Sequence, residues 1–308
     1  MKKFIGSVLA TTLILGGCST MENESKKDTN TETKSVPEEM EASKYVGQGF
    51  QPPAEKDAIE FAKKHKDKIA KRGEQFFMDN FGLKVKATNV VGSGKGVEVF
   101  VHCDDHDIVF NASIPFDKSI IDSDSSLRSE DKGDDMSTLV GTVLSGFEYR
   151  AQKEKYDNLY KFFKDNEEKY QYTGFTKEAI NKTQNSGYEN EYFYISTIPY
   201  NLTEYRNYFE PLLNKSNSEF SKEMSNVKKQ LKDKSKVSVT TTLFSKNKNY
   251  TKKSNSENVI KMAEEIKKEK DLPTDIDFSI QFSDNKINTI KPNYSSKDNS
   301  EYGVFDNE

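Results

Sequence analysis

Val97-Glu98-Val99-Phe100-Val101-His102-Cys103 places small apolar residues at every second position, the period of a strand with one face turned to a core. Outward from it, Lys84–Val91 and Asp107–Ile114 carry a similar alternation, while Gly92-Ser93-Gly94-Lys95-Gly96 and Asp104-Asp105-His106 between them are turn-forming. Three such strands joined by tight turns read as an antiparallel meander. Before it, Ala54–Asn80 has apolar residues at Ile59, Ala62, Ile69, Phe76 and Phe77 with a lysine-rich opposite side, which predicts a helix stopped by Gly82. After it, Met136, Leu139, Val140, Val143, Leu144 and Phe147 recur at helical spacing, and the pattern runs on through Tyr156, Leu159 and Phe163 toward Tyr170.

The rest of the chain repeats this mixture. Strands are expected at Glu191–Tyr200, Val237–Phe244 and Asp275–Phe282, and helices at Asn201–Lys232, irregular at Pro211, and Glu257–Lys270. The fold class is therefore α+β, helices packed on a mostly antiparallel sheet. Residues 45–170 and 171–290 form two such groups, which read either as two similar subdomains or as one layered domain, and 291–308 is a polar tail expected to fray.

The chain has 308 residues, 33% of them hydrophobic and 31% charged, and a mean hydropathy of −0.84. Its 46 Lys+Arg are outnumbered by 50 Asp+Glu, so the basic excess of a nucleic-acid binder is missing. Its 20 Phe and 15 Tyr supply core bulk in the absence of Trp.

The first residues carry the one motif with a defined mechanism. Lys2-Lys3, an apolar run from Phe4 to Leu15, and Leu15-Gly16-Gly17-Cys18 have the layout of a bacterial lipoprotein signal peptide, residues 1–17, ending in a lipobox. The run is too short to span a bilayer as a helix. The motif implies a diacylglycerol thioether on Cys18, cleavage between Gly17 and Cys18, and acylation of the new amino terminus. Two or three acyl chains give lasting attachment to a membrane. Removing residues 1–17 takes away Lys2 and Lys3, so the formal charge falls from −4 to −6. Residues 18–44 hold no aromatic and almost no aliphatic residue beyond the lipidated cysteine, the composition of a flexible tether. With Cys18 consumed by lipid, Cys103 has no partner for an intramolecular disulfide.

Other chemistry is thin. His102, Cys103 and His106 are metal-binding residue types, but neighbouring strand residues point to opposite faces, so a polar hairpin tip with a buried thiol behind it is the better reading. A Cys103 nucleophile would need His65 or His106 as its base. The glycine-rich 92–96 loop lacks the spacing of a phosphate-binding loop. Asp122-Ser123-Asp124-Ser125-Ser126-Leu127 begins like a calcium loop, yet Leu127 stands where glycine is needed and Gly133 where a bidentate glutamate is needed. No catalytic residue and no cofactor are assigned.

The lipobox, the polar tether, Tyr45-Val46-Gly47-Gln48-Gly49-Phe50-Gln51-Pro52-Pro53 and the Lys/Asn/Tyr-rich body resemble a staphylococcal family of lipoproteins classed only as a domain of unknown function. The resemblance implies a protein lipid-anchored on the outer face of a Gram-positive cell membrane, and it brings no catalytic residues. The favoured expectation is a non-enzymatic protein that binds another envelope protein or an envelope polymer. The alternatives are a solute-binding lipoprotein serving a transporter, which needs two lobes around a cleft, and an enzyme using Cys103 and the nearby histidines.

Overall fold

The computed structural model describes residues 36–130, 136–232, 236–247, 252–292 and 300–304. The lipobox and its Cys18 lie outside the described residues, as do residues 18–35. From Pro37 onward the chain forms one compact unit.

The meander is present. Strands β2 (Val85–Ser93), β3 (Gly96–Cys103) and β4 (Phe110–Phe116) pair antiparallel in that order. Val97, Val99, Val101 and Cys103 are wholly buried on one face. Helices α1 (Lys56–Lys64) and α2 (Lys66–Phe81) pack on the sheet, and Gly73 of α2 comes so close to Val99 that a Cβ would stand 2.6 Å from its methyl carbon. Gly82 ends α2 in the left-handed region at φ 66°, with its N–H on the Met78 carbonyl, as an αL cap requires. The single helix expected over 54–80 is broken at His65, whose φ of −112° and ψ of 18° end one helix and begin the next.

The second long helical stretch is likewise two helices. Helices α3 (Ser137–Ala151) and α4 (Lys153–Tyr170) meet at Gln152, whose side chain bonds Glu148 on one side and the Thr274 carbonyl on the other. Gly146 lets α3 approach the chain before β4, where a Cβ would lie 2.8 Å from the Val109 carbonyl oxygen. There follow β5 (Tyr172–Thr173), α5 (Lys177–Thr183) and β6 (Phe193–Ser196). The short α6 (Leu202–Glu204) leads through a π-helical turn at Tyr205–Phe209 and a 3-10 turn at Glu210–Leu212 to α7 (Asn217–Gln230), so the irregularity expected at Pro211 is a change of helix type.

The second sheet holds β7 (Val237–Thr241), β8 (Leu243–Ser245) and β9 (Ile276–Ser283), with α8 (Lys252–Ile266) joining β8 to β9. Strand β6 pairs antiparallel with β7, and β7 and β8 run parallel to β9. Phe193, Ile195, Val237, Val239, Phe278 and Ile280 enter its core. Tyr194, Ser196, Ser238, Thr240, Asp277 and Ser279 alternate with them.

Three expectations need correcting. Residues 37–44, read as tether, belong to the fold: β1 (Glu39–Glu41) pairs with β10 (Lys286–Asn288), and Ala42 is buried. The polar tail does not simply fray, because β11 (Ser300–Val304) pairs with β9 along Phe278–Phe282. Nor do the cores divide at residue 170. Leu202, Tyr205, Phe209, Phe220 and Met224 return to the core built by α2, the meander and α3, while Tyr156, Phe163 and Tyr170 of α4 already belong to the core of the second sheet. The chain therefore crosses between cores inside α3 and again on either side of the 202–227 stretch. The segment 45–50 docks as expected: Tyr45 is wholly buried, and Phe50 meets the edge of Phe100 at 5.3 Å.

Candidate functional site

The meander fixes the positions of the sequence candidates. His102 is half-buried with Nδ1 3.1 Å from Asn111 Oδ1 on the neighbouring strand, and burial holds its pKa below the usual histidine value. Cys103 points the other way, fully buried, with Sγ 3.6 Å from the Lys84 carbonyl oxygen. Burial pushes this thiol up to about 12, so it stays protonated at neutral pH, the opposite of an activated nucleophile. His106 lies in the turn in left-handed conformation, its Nε2 3.8 Å from Asp105 Oδ1. His65 stands at the α1–α2 break with its ring 4.5 Å from that of Phe61. Among the described residues no three His, Cys, Asp or Glu side chains converge as a metal site.

The loop that opens like a calcium site is bound by cations. Arg72 and Arg206 donate to the carbonyls of Ser125 and Ser129, and Arg128 reaches back to the Asp79 carbonyl. Asp79 accepts from the Leu127 N–H and the Ser126 hydroxyl, which holds its carboxyl below the usual range despite burial. The loop is thus pinned to α2 and to Arg206 by guanidinium and carboxylate contacts. The glycine-rich loop packs on the start of α1, where Glu55 N donates to the Gly94 carbonyl at 2.8 Å.

Sequence reasoning missed the charges inside α3. Glu148, 3% exposed, accepts from Gln152 at 2.8 Å, Lys228 at 3.3 Å and the Tyr156 hydroxyl at 3.4 Å. It stands beside a shallow cleft, partly open to solvent, walled by Leu144, Ile198, Phe209, Met224 and Val237. Arg150 donates to Asn217, to the Leu213 and Lys215 carbonyls, and lies 4.1 Å from the centre of the Phe220 ring. Both are engaged on every side and tie α7 to α3. Their signal was a Glu and an Arg at the end of a helix that carries no charged residue from Ser137 to Phe147.

Glu189 was also missed. It is buried between Gly187 and the start of β6, and no hydrogen bond or ion pair among the described residues engages its carboxyl. Desolvation alone pushes it up to about 8.

These features define an α+β body in which Glu148 and Arg150 tie α3 to α7, and in which Cys103 and His102 lie on opposite faces of the meander. Among the described residues, no helix is long and apolar enough to cross a membrane. The chain belongs to the DUF1672 family, described as a protein of unknown function, whose model matches residues 32–308. It is similar to a DUF1672 family protein from Staphylococcus aureus subsp. aureus Mu50, whose crystal structure matches with 70% identity and a TM-score of 0.86, covering 89% of this chain and 100% of that one. No curated protein matches the chain.

Proposed function

We propose that the protein is a lipid-anchored envelope protein that binds a partner and catalyses no reaction. Cys18 carries the lipid, the polar sequence after it spaces the body from the bilayer, and the body from Pro37 onward makes the contact. The observation that carries this reading is Leu15-Gly16-Gly17-Cys18 at the end of a short apolar run behind Lys2-Lys3. The protonated, buried Cys103 and the engaged His102 favour binding over nucleophilic chemistry. Cells expressing the chain are fed an alkynyl fatty acid; the wild type should take up label and stay with the membrane, and Cys18→Ala should lose both. Label retained by Cys18→Ala would sink the anchor.

A further inference from the structure

Every exposed residue of α1 and α2 from Lys56 to Lys71 is charged. Five of them are Lys63, Lys64, Lys66, Lys68 and Lys71, and no hydrogen bond or ion pair among the described residues engages any of the five. Lysines elsewhere do find carboxylates: Lys153 meets Asp157, Lys169 meets Glu265 and Lys286 meets Glu39. The acids of these two helices are mostly committed to other groups. Asp57 accepts from Lys118, Glu60 faces Lys56, Glu74 accepts from the Ala87 N–H and Asp79 from the Leu127 N–H. Only Asp67 is left, and five lysines against one aspartate leave an excess of four positive charges between Lys63 and Lys71.

Lys68 and Lys71, three apart on α2, are neighbouring like charges that work against the helix they share. The row also runs against the chain as a whole, whose formal charge is −4. Its place in the fold is set by strand alternation. Helices α1 and α2 cover the Val97 and Val99 face of the meander: Gly92, paired with Val97, abuts Ala58 and Ile59, and Gly73 abuts Val99. Helix α5 covers the other face, where Asn89, paired with Phe100, donates to the Lys182 carbonyl. The residues by which the chain enters the body pack on α5. Thr176 donates to the Tyr45 carbonyl, and Ala42 and Tyr45 share a cluster with Ala179 and Ile180. The lysine row therefore stands on the far side of the meander from that entry.

We infer that the lysine row of α1 and α2 is a docking surface for a linear polyanion outside the bilayer. Charge complementarity sets the sign of the partner. The spread of the row sets its form: from Lys63 to Lys71 the ammonium groups extend along about 12 Å of helix, so a compact anion meets one or two of them and an extended chain of repeating charge meets them all. Ammonium groups act as point charges and demand no fixed geometry of the anion. A bilayer surface fits less well. Interfacial helices bring apolar side chains to sink below the headgroups, and this row exposes none. The inference rests on the envelope-binding role proposed above and names the partner's chemistry.

The full-length chain in liposomes containing phosphatidylglycerol is acetylated briefly with and without poly(glycerol phosphate), and each lysine is read by mass spectrometry. Lys64, Lys68 and Lys71 should react freely on the liposome and become protected when the polymer is added, while Lys261, Lys267 and Lys270 stay reactive. Calorimetry in neutral detergent should give saturable polymer binding that weakens about tenfold or more on raising salt from about 0.05 M to about 0.5 M. The triple variant Lys64→Gln, Lys68→Gln, Lys71→Gln should bind about tenfold more weakly, and the triple variant Lys261→Gln, Lys267→Gln, Lys270→Gln, with the same loss of charge, should bind as the wild type does. Protection by the liposome alone would make the row a membrane-facing surface and overturn the inference. Equal effects at the two lysine sets, or no saturable binding, would overturn it as well. Loss of fatty-acid labelling in Cys18→Ala removes the anchor alone, and loss of lysine protection removes the docking surface alone.

Discussion

Two buried acids on this chain differ in what surrounds them. Glu148 is satisfied by a lysine, an amide and a phenol, whereas Glu189 meets desolvation with nothing to offset it. The sign of the consequence follows from linkage. A carboxyl raised from 4.5 to about 8 on folding favours the native state below 4.5, and that contribution is lost as pH climbs through 8. Glu189→Gln cannot ionise, so it should match the wild type near pH 4.5 and exceed it above pH 8 by on the order of a few kcal/mol. Urea melts at pH 4.5, 6, 7.5 and 9 measure this. Parallel stability curves for the two proteins would mean that Glu189 is hydrated and ordinary. Neither Glu189 nor the Glu148 pair was legible in the sequence, because burial of a charge depends on neighbours that arrive from elsewhere in the chain: Lys228 for Glu148, and β6 with its pairing strand for Glu189. The side chains of His102 and Cys103 were legible, since strand alternation alone sends them to opposite faces.

At the scale of elements, legibility tracked how much of the instruction is local. The meander was readable because Val97, Val99, Val101 and Cys103 announce their face, and the end of α2 because Gly82 supplies the left-handed cap. The breaks at His65 and Gln152 were not, since the residues around them suit helices and the Gln152 break is held by Thr274, more than a hundred positions away. Strands β1 and β11 escaped for a related reason: Glu39-Met40-Glu41 and Ser300–Val304 lack a strong apolar alternation, and their partners Lys286–Asn288 and β9 make them strands. Strand β1 also yields a test. Thr289 donates from N to the Glu38 carbonyl and from Oγ1 to the Pro37 carbonyl, both at 2.8 Å, and Ala42 is buried behind them. A chain beginning at Tyr45 should therefore be less stable than one beginning at Pro37 by about 2–3 kcal/mol, the value of several hydrogen bonds and a buried methyl. Equal urea midpoints would mean that residues 37–44 are a spacer after all.

For the whole molecule, the route of the chain between its cores decides whether they melt together. Helix α3 sends Val140, Val143, Leu144 and Phe147 into the first core and, two residues further, Tyr149 into the second, where it stacks on Tyr188 at 4.1 Å. A rigid helix cannot leave one core without pulling on the other. The 202–227 stretch then returns to the first core after β6 has joined the second sheet, so each core contains pieces whose sequence neighbours lie in the other. Arg150 fastens that return by holding the Leu213 and Lys215 carbonyls. Two independently stable subdomains would need a single crossing, near which each half could close its own core. The expected outcome is one cooperative transition, with Phe147→Ala in the first core and Phe163→Ala in the second each lowering the same midpoint by about 3–5 kcal/mol of stability. Circular dichroism and hydrogen exchange over both sheets read this directly. If Phe163→Ala melted α4, α8 and the second sheet while protection in the meander persisted, the cores would be separate units and α3 a linker between them.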